Sequence, residues 1–328
     1  MMGIYIEVKN DINGIYDCDM LFIDSKFFKF WWKDASDDVH IFLMKRSCPV
    51  YWFDTADSTG TCNFQVLSNV ERYYKSQVLK ERRLYLQHHH RERIYFGYYF
   101  RKHGITDSVP TNCETLPHES ELHKIYVSWN SSLNNYGLNY YSLRGKIAAR
   151  LREPLSRCIF TKPNYKVKFT HVERKRVHDI DMRFGLGHNR AFVKYHREQA
   201  LFQFPNVKQV GKVSYSKYIK DLRKSKVSIS PFGLGEITLK DFDTIIAGAC
   251  LIKPDMSHLE TWPNLYQEDK TYVACNWDFS NLREKVFSLL DNPRLRYDIA
   301  REAQQRYIDL IDNGGIDFAR RIKEEVGA

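Results

Sequence analysis

Residues 228–254, SISPFGLGEITLKDFDTIIAGACLIKP, constrain the fold more than any other stretch. An apolar strand ends in a Pro/Gly loop, and a helix follows from about Thr238. Gly248 stops that helix, and a second strand, residues 249–253, runs on to Pro254. Two strands joined through a helix must lie parallel, and parallel sheets need helices on their faces. The chain is therefore α/β, with ligand-binding groups expected at the carboxyl ends of its strands. Gly233 and Gly235 let backbone approach a ligand closely, and the new helix offers N–H groups at its start. That combination suits a diphosphate, although an ordinary βα turn carries the same letters. Neither GxxxxGK[ST] nor GxGxxG occurs.

The same alternation extends on both sides. Residues 178–187 read as a strand entering a second glycine loop, Phe184-Gly185-Leu186-Gly187, with a helix over 189–202. A short helix over 215–224, a strand over 226–230 and a short strand over 272–275 follow. Helices are expected over 278–290 and 294–311, with 317–326 continuing after a break at Gly314-Gly315. Upstream, residues 18–25 and 49–61 each read as a strand running into a polar loop. Residues 26–32 have an aromatic-rich helical pattern, and residues 69–84 show charged and apolar positions at helical spacing. Residues 124–137 begin as a strand, and residues 150–162 read as a domain linker between Pro154 and Pro163.

Composition narrows the partner class. The 328 residues include 20 Phe, 21 Tyr and 6 Trp, too much apolar surface for a disordered chain. No apolar run reaches a membrane span, and the start MMGIYIEVKND lacks a signal-peptide core. Seven scattered Cys without CxxC spacing point to a reduced, cytoplasmic setting. The net charge of +10 is uneven. Residues 141–230 hold 22 Lys/Arg against 6 Asp/Glu, a local +16, so the remainder is net acidic. Such a field invites nucleic acid, an anionic membrane surface or a phosphorylated small substrate.

Several side chains stand where chemistry is expected. Arg183, with Lys166 and Lys168, can neutralise phosphate oxygens beside Gly185 and Gly187. Asp54 and Asp57 follow an apolar strand and are the candidate general bases; turn and capping roles compete. His258 follows a strand end. No metal site is expected: Asp179 and Asp181 sit within a strand, and the His88-His89-His90 triplet lacks a fourth ligand at zinc spacing and reads as solvent-exposed.

The run PFGLGEITLKDFDTIIAGACLIKPD resembles the nucleotide-sugar-binding domain of GT-B glycosyltransferases, over residues 179–307. Glu236 matches the acidic residue of the family's loop, and Ala247-Gly248 matches its Ala-Gly pair. Asp243 stands where the family usually has a ribose-binding Glu. SHLETWPN, WFDTADSTG, YYKSQVLKERRLY and VSWN resemble segments of bacterial and viral polysaccharide glycosyltransferases related to spore-coat glycosyltransferase-like proteins. The resemblance implies two Rossmann-like domains facing across a cleft: an acceptor domain over 1–158, a nucleotide-sugar domain over 159–305, and a helix over 306–328 crossing back. It implies metal-independent transfer of a sugar from a UDP-, GDP-, ADP- or CMP-linked donor to a saccharide or lipid-linked glycan acceptor, without a tightly bound cofactor. Donor contacts would come from Arg183, Gly185, Gly187, Lys166, Gly233, Gly235, Glu236, Asp243 and His258. The surplus positive charge would face an anionic acceptor or the inner surface of a membrane. Two competing readings are a nucleic-acid-binding protein, disfavoured by the absence of zinc-finger and RNP-like signatures, and an inactive GT-B-like scaffold, kept open by Asp243.

Overall fold

The computed structural model describes residues 5–9, 15, 18–28, 36–107, 115–132 and 167–327. Two four-stranded sheets, each wholly parallel, organise them. The first has the order β1 (Leu21–Asp24), β2 (Val50–Asp54), β3 (Arg72–Lys75) and β5 (Ile125–Val127). The second has the order β10 (Val273–Cys275), β8 (Cys250–Pro254), β7 (Ser225–Ile229) and β6 (His178–Asp181). Helices α1 (Ser36–Met44), α2 (Ile94–His103), α3 (Ala191–Phe202), α4 (Tyr215–Leu222), α5 (Leu239–Ala247), α6 (Leu282–Asp291) and α7 (Pro293–Val326) complete the framework. Loops at the carboxyl ends of the two sheets meet each other. This is a GT-B-like layout of two Rossmann-like domains.

Each sheet has its own core. Ile23, Trp52, Tyr73 and Ile125 cover one face of the first sheet and pack on Val39, Phe42 and Leu43 of α1. Ile180, Val227, Ile252 and Val273 do the same in the second, against Ala200, Val286 and Ile299. Helix α5 is set by a capping box, Thr238 with Asp241, and ends at Gly248 in the left-handed region, φ 66°. A Cβ at Gly248 would stand 2.4 Å from the Thr170 carbonyl oxygen, so backbone proximity as well as φ demands glycine there.

Two expectations fail for identifiable reasons. Residues 69–84 are not a helix: they form β3 and β4 (Gln77–Leu79), flanked by short 3-10 turns. Tyr73 and Tyr74 are both fully buried, yet Tyr73 joins the core with Trp52 while Tyr74 stacks on Phe53. Adjacent residues buried on opposite faces require the period of a strand. Helix α7 also runs through Gly314-Gly315 without a break. A Cβ at Gly314 would meet Leu310 at 2.5 Å and Trp129 at 3.0 Å, so this glycine permits close packing rather than stopping the helix. The last turns of α7 lie on the first domain, where Arg321 Nη2 donates to the Val127 carbonyl at 2.7 Å.

The domains are joined by more than that helix. β4 pairs antiparallel with β9 (Leu259–Thr261) from the other half of the chain. Helix α2, early in the sequence, packs Tyr95, Phe96 and Tyr99 against Phe192, Phe232 and Tyr272. The expected linker at 150–162 lies outside the described residues. Among the described residues no helix is long and apolar enough to cross a membrane.

Candidate functional site

The loop after β2 is fastened at both ends by one buried ion pair. Asp54 and Lys75 are almost completely enclosed, 3.0 Å apart. Asp54 Oδ1 accepts from the Ala56 N–H at 2.8 Å, and Oδ2 accepts from the Tyr73 hydroxyl at 2.5 Å. Lys75 Nζ donates onward to the Thr61 carbonyl at 2.6 Å. Residues 54–61 are thus pinned at their start by Asp54 and at their end by Lys75. Asp54, expected as a base, is instead a structural fastening: its oxygens are committed and water does not reach them. Burial, with the Asp54 charge next in weight, pushes the Tyr73 phenol well up.

This pinned loop docks on the Gly233–Gly235 loop of the second domain. Thr59 donates its N–H to Glu236 Oε2 at 3.1 Å and its hydroxyl to Oε1 at 2.5 Å. Glu236, expected to touch the donor, spends both oxygens on this interdomain clasp. Burial alone would raise its carboxyl. The neighbouring His258 and the Thr59 hydroxyl outweigh that and hold it below the ordinary glutamate range. The Asp57 carbonyl lies directly over Gly235, where a Cβ would sit 1.4 Å from its oxygen. The Asp57 carboxylate points outward, 58% exposed, with Arg93 Nη2 at 3.7 Å. Arg93 in turn donates from Nε to the Leu234 carbonyl at 2.8 Å.

A buried histidine sets the other side of this loop. His196 Nε2 accepts from the Phe232 N–H at 3.0 Å, and Nδ1 meets the Tyr99 hydroxyl at 2.7 Å. Burial drives the His196 pKa well down, so the ring is neutral. Because Nε2 must accept, the proton resides on Nδ1 and donates to Tyr99. Tyr99 then donates to the Trp277 carbonyl. The glycine loop is therefore held from behind by an ordered relay between α2 and α3.

The next residue of α3 after His196 is Arg197. Its Nη1 donates to the Gly185 carbonyl at 2.6 Å and its Nε to the Phe232 carbonyl at 3.4 Å. A Cβ on Gly233 would lie 3.6 Å from Nη2. The guanidinium thus bridges the two glycine loops. It is half-buried, burial pulls its pKa down, and no carboxylate of the described residues lies within ion-pair distance. A partly desolvated cation with no carboxylate partner among the described residues, beside the exposed backbone of Gly185 and Gly187, suits a phosphate. Gly187 has no atom of the described residues within 4 Å of its Cβ position. His188 follows it, half-buried, and burial together with Arg197 and Arg190 lowers its pKa.

The other expected donor contacts land differently. Arg183 is committed to Asp221 at 2.7 Å in a nearly buried pair, and its Nη1 donates to the Val210 carbonyl at 2.7 Å. It braces β6 against α4 and does not take the phosphate role expected of it. Asp243 sits half-buried on α5, with the Tyr215 hydroxyl 3.4 Å away, and burial pushes its carboxyl up to about 6. His258 lies 3.7 Å from Glu236, too far for a hydrogen bond, and its ring packs edge-on against Trp277. Both its ring nitrogens are buried without a hydrogen-bond partner among the described residues. Lys166 lies outside the described residues. Among those described, no three His, Cys, Asp or Glu side chains gather into a metal-holding group. The histidine triplet is not wholly exposed: His89 bonds to the Leu84 carbonyl at 2.8 Å, and His90 stacks on Phe100 at 4.1 Å.

No protein-family model matches the chain, and no curated protein does. Among solved structures it is similar to Anabaena Alr3699/HepE in complex with UDP-glucose, at 9% identity and a TM-score of 0.43, over 94% of this chain and 78% of that one. It is similar to an alpha-glucosyltransferase in complex with UDP-glucose and DNA containing an abasic site, at 11% identity and a TM-score of 0.34, over 90% and 77%. It is also similar to TarM, at 10% identity and a TM-score of 0.37, over 91% of this chain and 54% of that one. Every one of these scores is below 0.5, so the fold and the site rest on this chain's own geometry.

Proposed function

We propose that the chain is a nucleotide-sugar-dependent glycosyltransferase acting on a saccharide or lipid-linked glycan acceptor. The observation that carries this reading is Arg197, a half-buried cation bridging the Gly185 and Gly233 loops with no carboxylate neighbour among the described residues. The donor diphosphate would lie against that guanidinium and the open backbone around Gly187. The exposed carboxylate of Asp57, held beside Arg93, is the first-domain group assigned to the acceptor in this reading. In the inverting form of the reaction, Asp57 accepts the proton of an acceptor hydroxyl as its oxygen attacks the anomeric carbon. The bond from that carbon to the diphosphate breaks, and the leaving charge develops where Arg197 can stabilise it.

A thermal-shift panel of UDP, GDP and ADP, each beside its monophosphate, tests the reading. One diphosphate raises the Tm more than its monophosphate. A panel in which none moves the Tm rules the proposal out.

A further inference from the structure

The first sheet carries a second reactive feature, at the end remote from the cleft. Cys18 and Cys48 stand 30 residues apart in sequence, and their sulfurs are 3.6 Å apart. Cys18 lies three residues before β1 and Cys48 two before β2. The two chain segments already run side by side there: the Leu21 N–H donates to the Pro49 carbonyl at 3.0 Å, and Leu21 pairs with Val50. Neighbouring parallel strands lie about 4.8 Å apart, within the Cα separation that a disulfide spans. From 3.6 Å, an approach of about 1.5 Å brings the sulfurs to bonding distance. Both strands run from this end toward the loop that carries Asp57, so the cysteines lie at the opposite end of the strands from it.

We propose that Cys18 and Cys48 are an oxidisable thiol pair whose disulfide clips β1 to β2 and closes the segment containing α1. The oxidant is a small-molecule disulfide such as glutathione disulfide. The exposed thiolate of Cys18 attacks one sulfur of it, releasing one glutathione thiolate and leaving a mixed disulfide. The Cys48 thiolate then attacks Cys18 Sγ, and the second glutathione leaves. Two protein thiols are oxidised, one disulfide is reduced to two thiols, and the protons pass to those products. Among the described cysteines, selectivity follows from exposure. Cys18 is exposed and Cys48 half-buried, whereas Cys62, Cys250 and Cys275 are buried. Burial pushes the Cys250 thiol up to about 12 and raises Cys275 as well, which keeps both from forming thiolates.

The full chain is incubated with glutathione disulfide, its remaining thiols are alkylated, and the digest is mapped by mass spectrometry. The expected product is a Cys18–Cys48 linked peptide lighter by two hydrogens than its parts. A Tm rise of roughly 3–5 °C should accompany it and be reversed by dithiothreitol. Cys18→Ser and Cys48→Ser variants should show neither change. Alkylation of both residues after oxidation, a persistent glutathione adduct, or linkage of either to another cysteine would overturn the proposal. So would a formed bond that leaves the Tm unmoved.

Discussion

Gly235 and Gly187 present the same signal in the sequence, a glycine in a loop leaving a parallel strand, yet their surroundings are opposite. Gly235 is pressed against the Asp57 carbonyl of the other domain, and Gly60 is pressed in the same way against the Glu92 carbonyl. Among the described residues, nothing lies within 4 Å of the Gly187 Cβ position. Glycine in the first loop lets protein backbone meet protein backbone. In the second, the same residue leaves room beside a cation that has no carboxylate partner among the described residues. A glycine-rich loop is therefore evidence for a ligand only once its neighbours are known.

The most severe way to break this contrast is Gly235→Ala. Its methyl group cannot coexist with the Asp57 carbonyl, so the two loops must separate. Transfer should fall by about 100-fold or more, because small displacements of reacting groups cost that much. Thermal unfolding should begin earlier as the interdomain contact loosens. Lys75→Met comes next. It strands the buried Asp54 charge and should cost about 3–5 kcal/mol in denaturant unfolding. A loss below about 1 kcal/mol would show that the pair does not fasten the loop.

A smaller effect is expected from pH. The Asp243 carboxyl is raised from 3.8 to about 6 by burial. Between those values the folded chain keeps a proton that the unfolded chain releases, so stability falls as pH rises through that window. Asp243→Asn should flatten that part of the Tm–pH curve, and an unchanged slope would place the carboxylate in water. Gly187→Ala should be the mildest change, within about 0.5 kcal/mol in stability, since its methyl group enters open space. A large loss there would erase the contrast with Gly235.

Much of the framework was legible from residues alone. Short apolar strands ending in Asp54, in Pro231 to Gly235 and in Pro254 marked the parallel sheets, and Gly248 marked the end of α5. The site was only partly legible. Arg197 reads as one more charged position on an amphipathic helix, and its value depends on two loops that reach it from residues 185 and 232. Arg183 reads as a phosphate ligand until Asp221, 38 residues away, is found to hold it. Lys75 was lost in a segment whose spacing mimicked a helix, because period two and period 3.6 are hard to separate over four residues. Glu236 was recognisable as special, but its partner Thr59 is 177 residues distant. Long-range pairing decides which polar groups remain available for a ligand, and a single sequence does not display it.

The central claim is that Arg197 receives the donor diphosphate. Calorimetric titration of the wild type and Arg197→Ala with the diphosphate that gives the largest thermal shift tests it most directly. Losing a charge-assisted contact should weaken binding by about 10- to 100-fold, beyond the modest Tm drop expected from losing its bonds to the Gly185 and Phe232 carbonyls. Equal affinity in the two proteins would contradict the account.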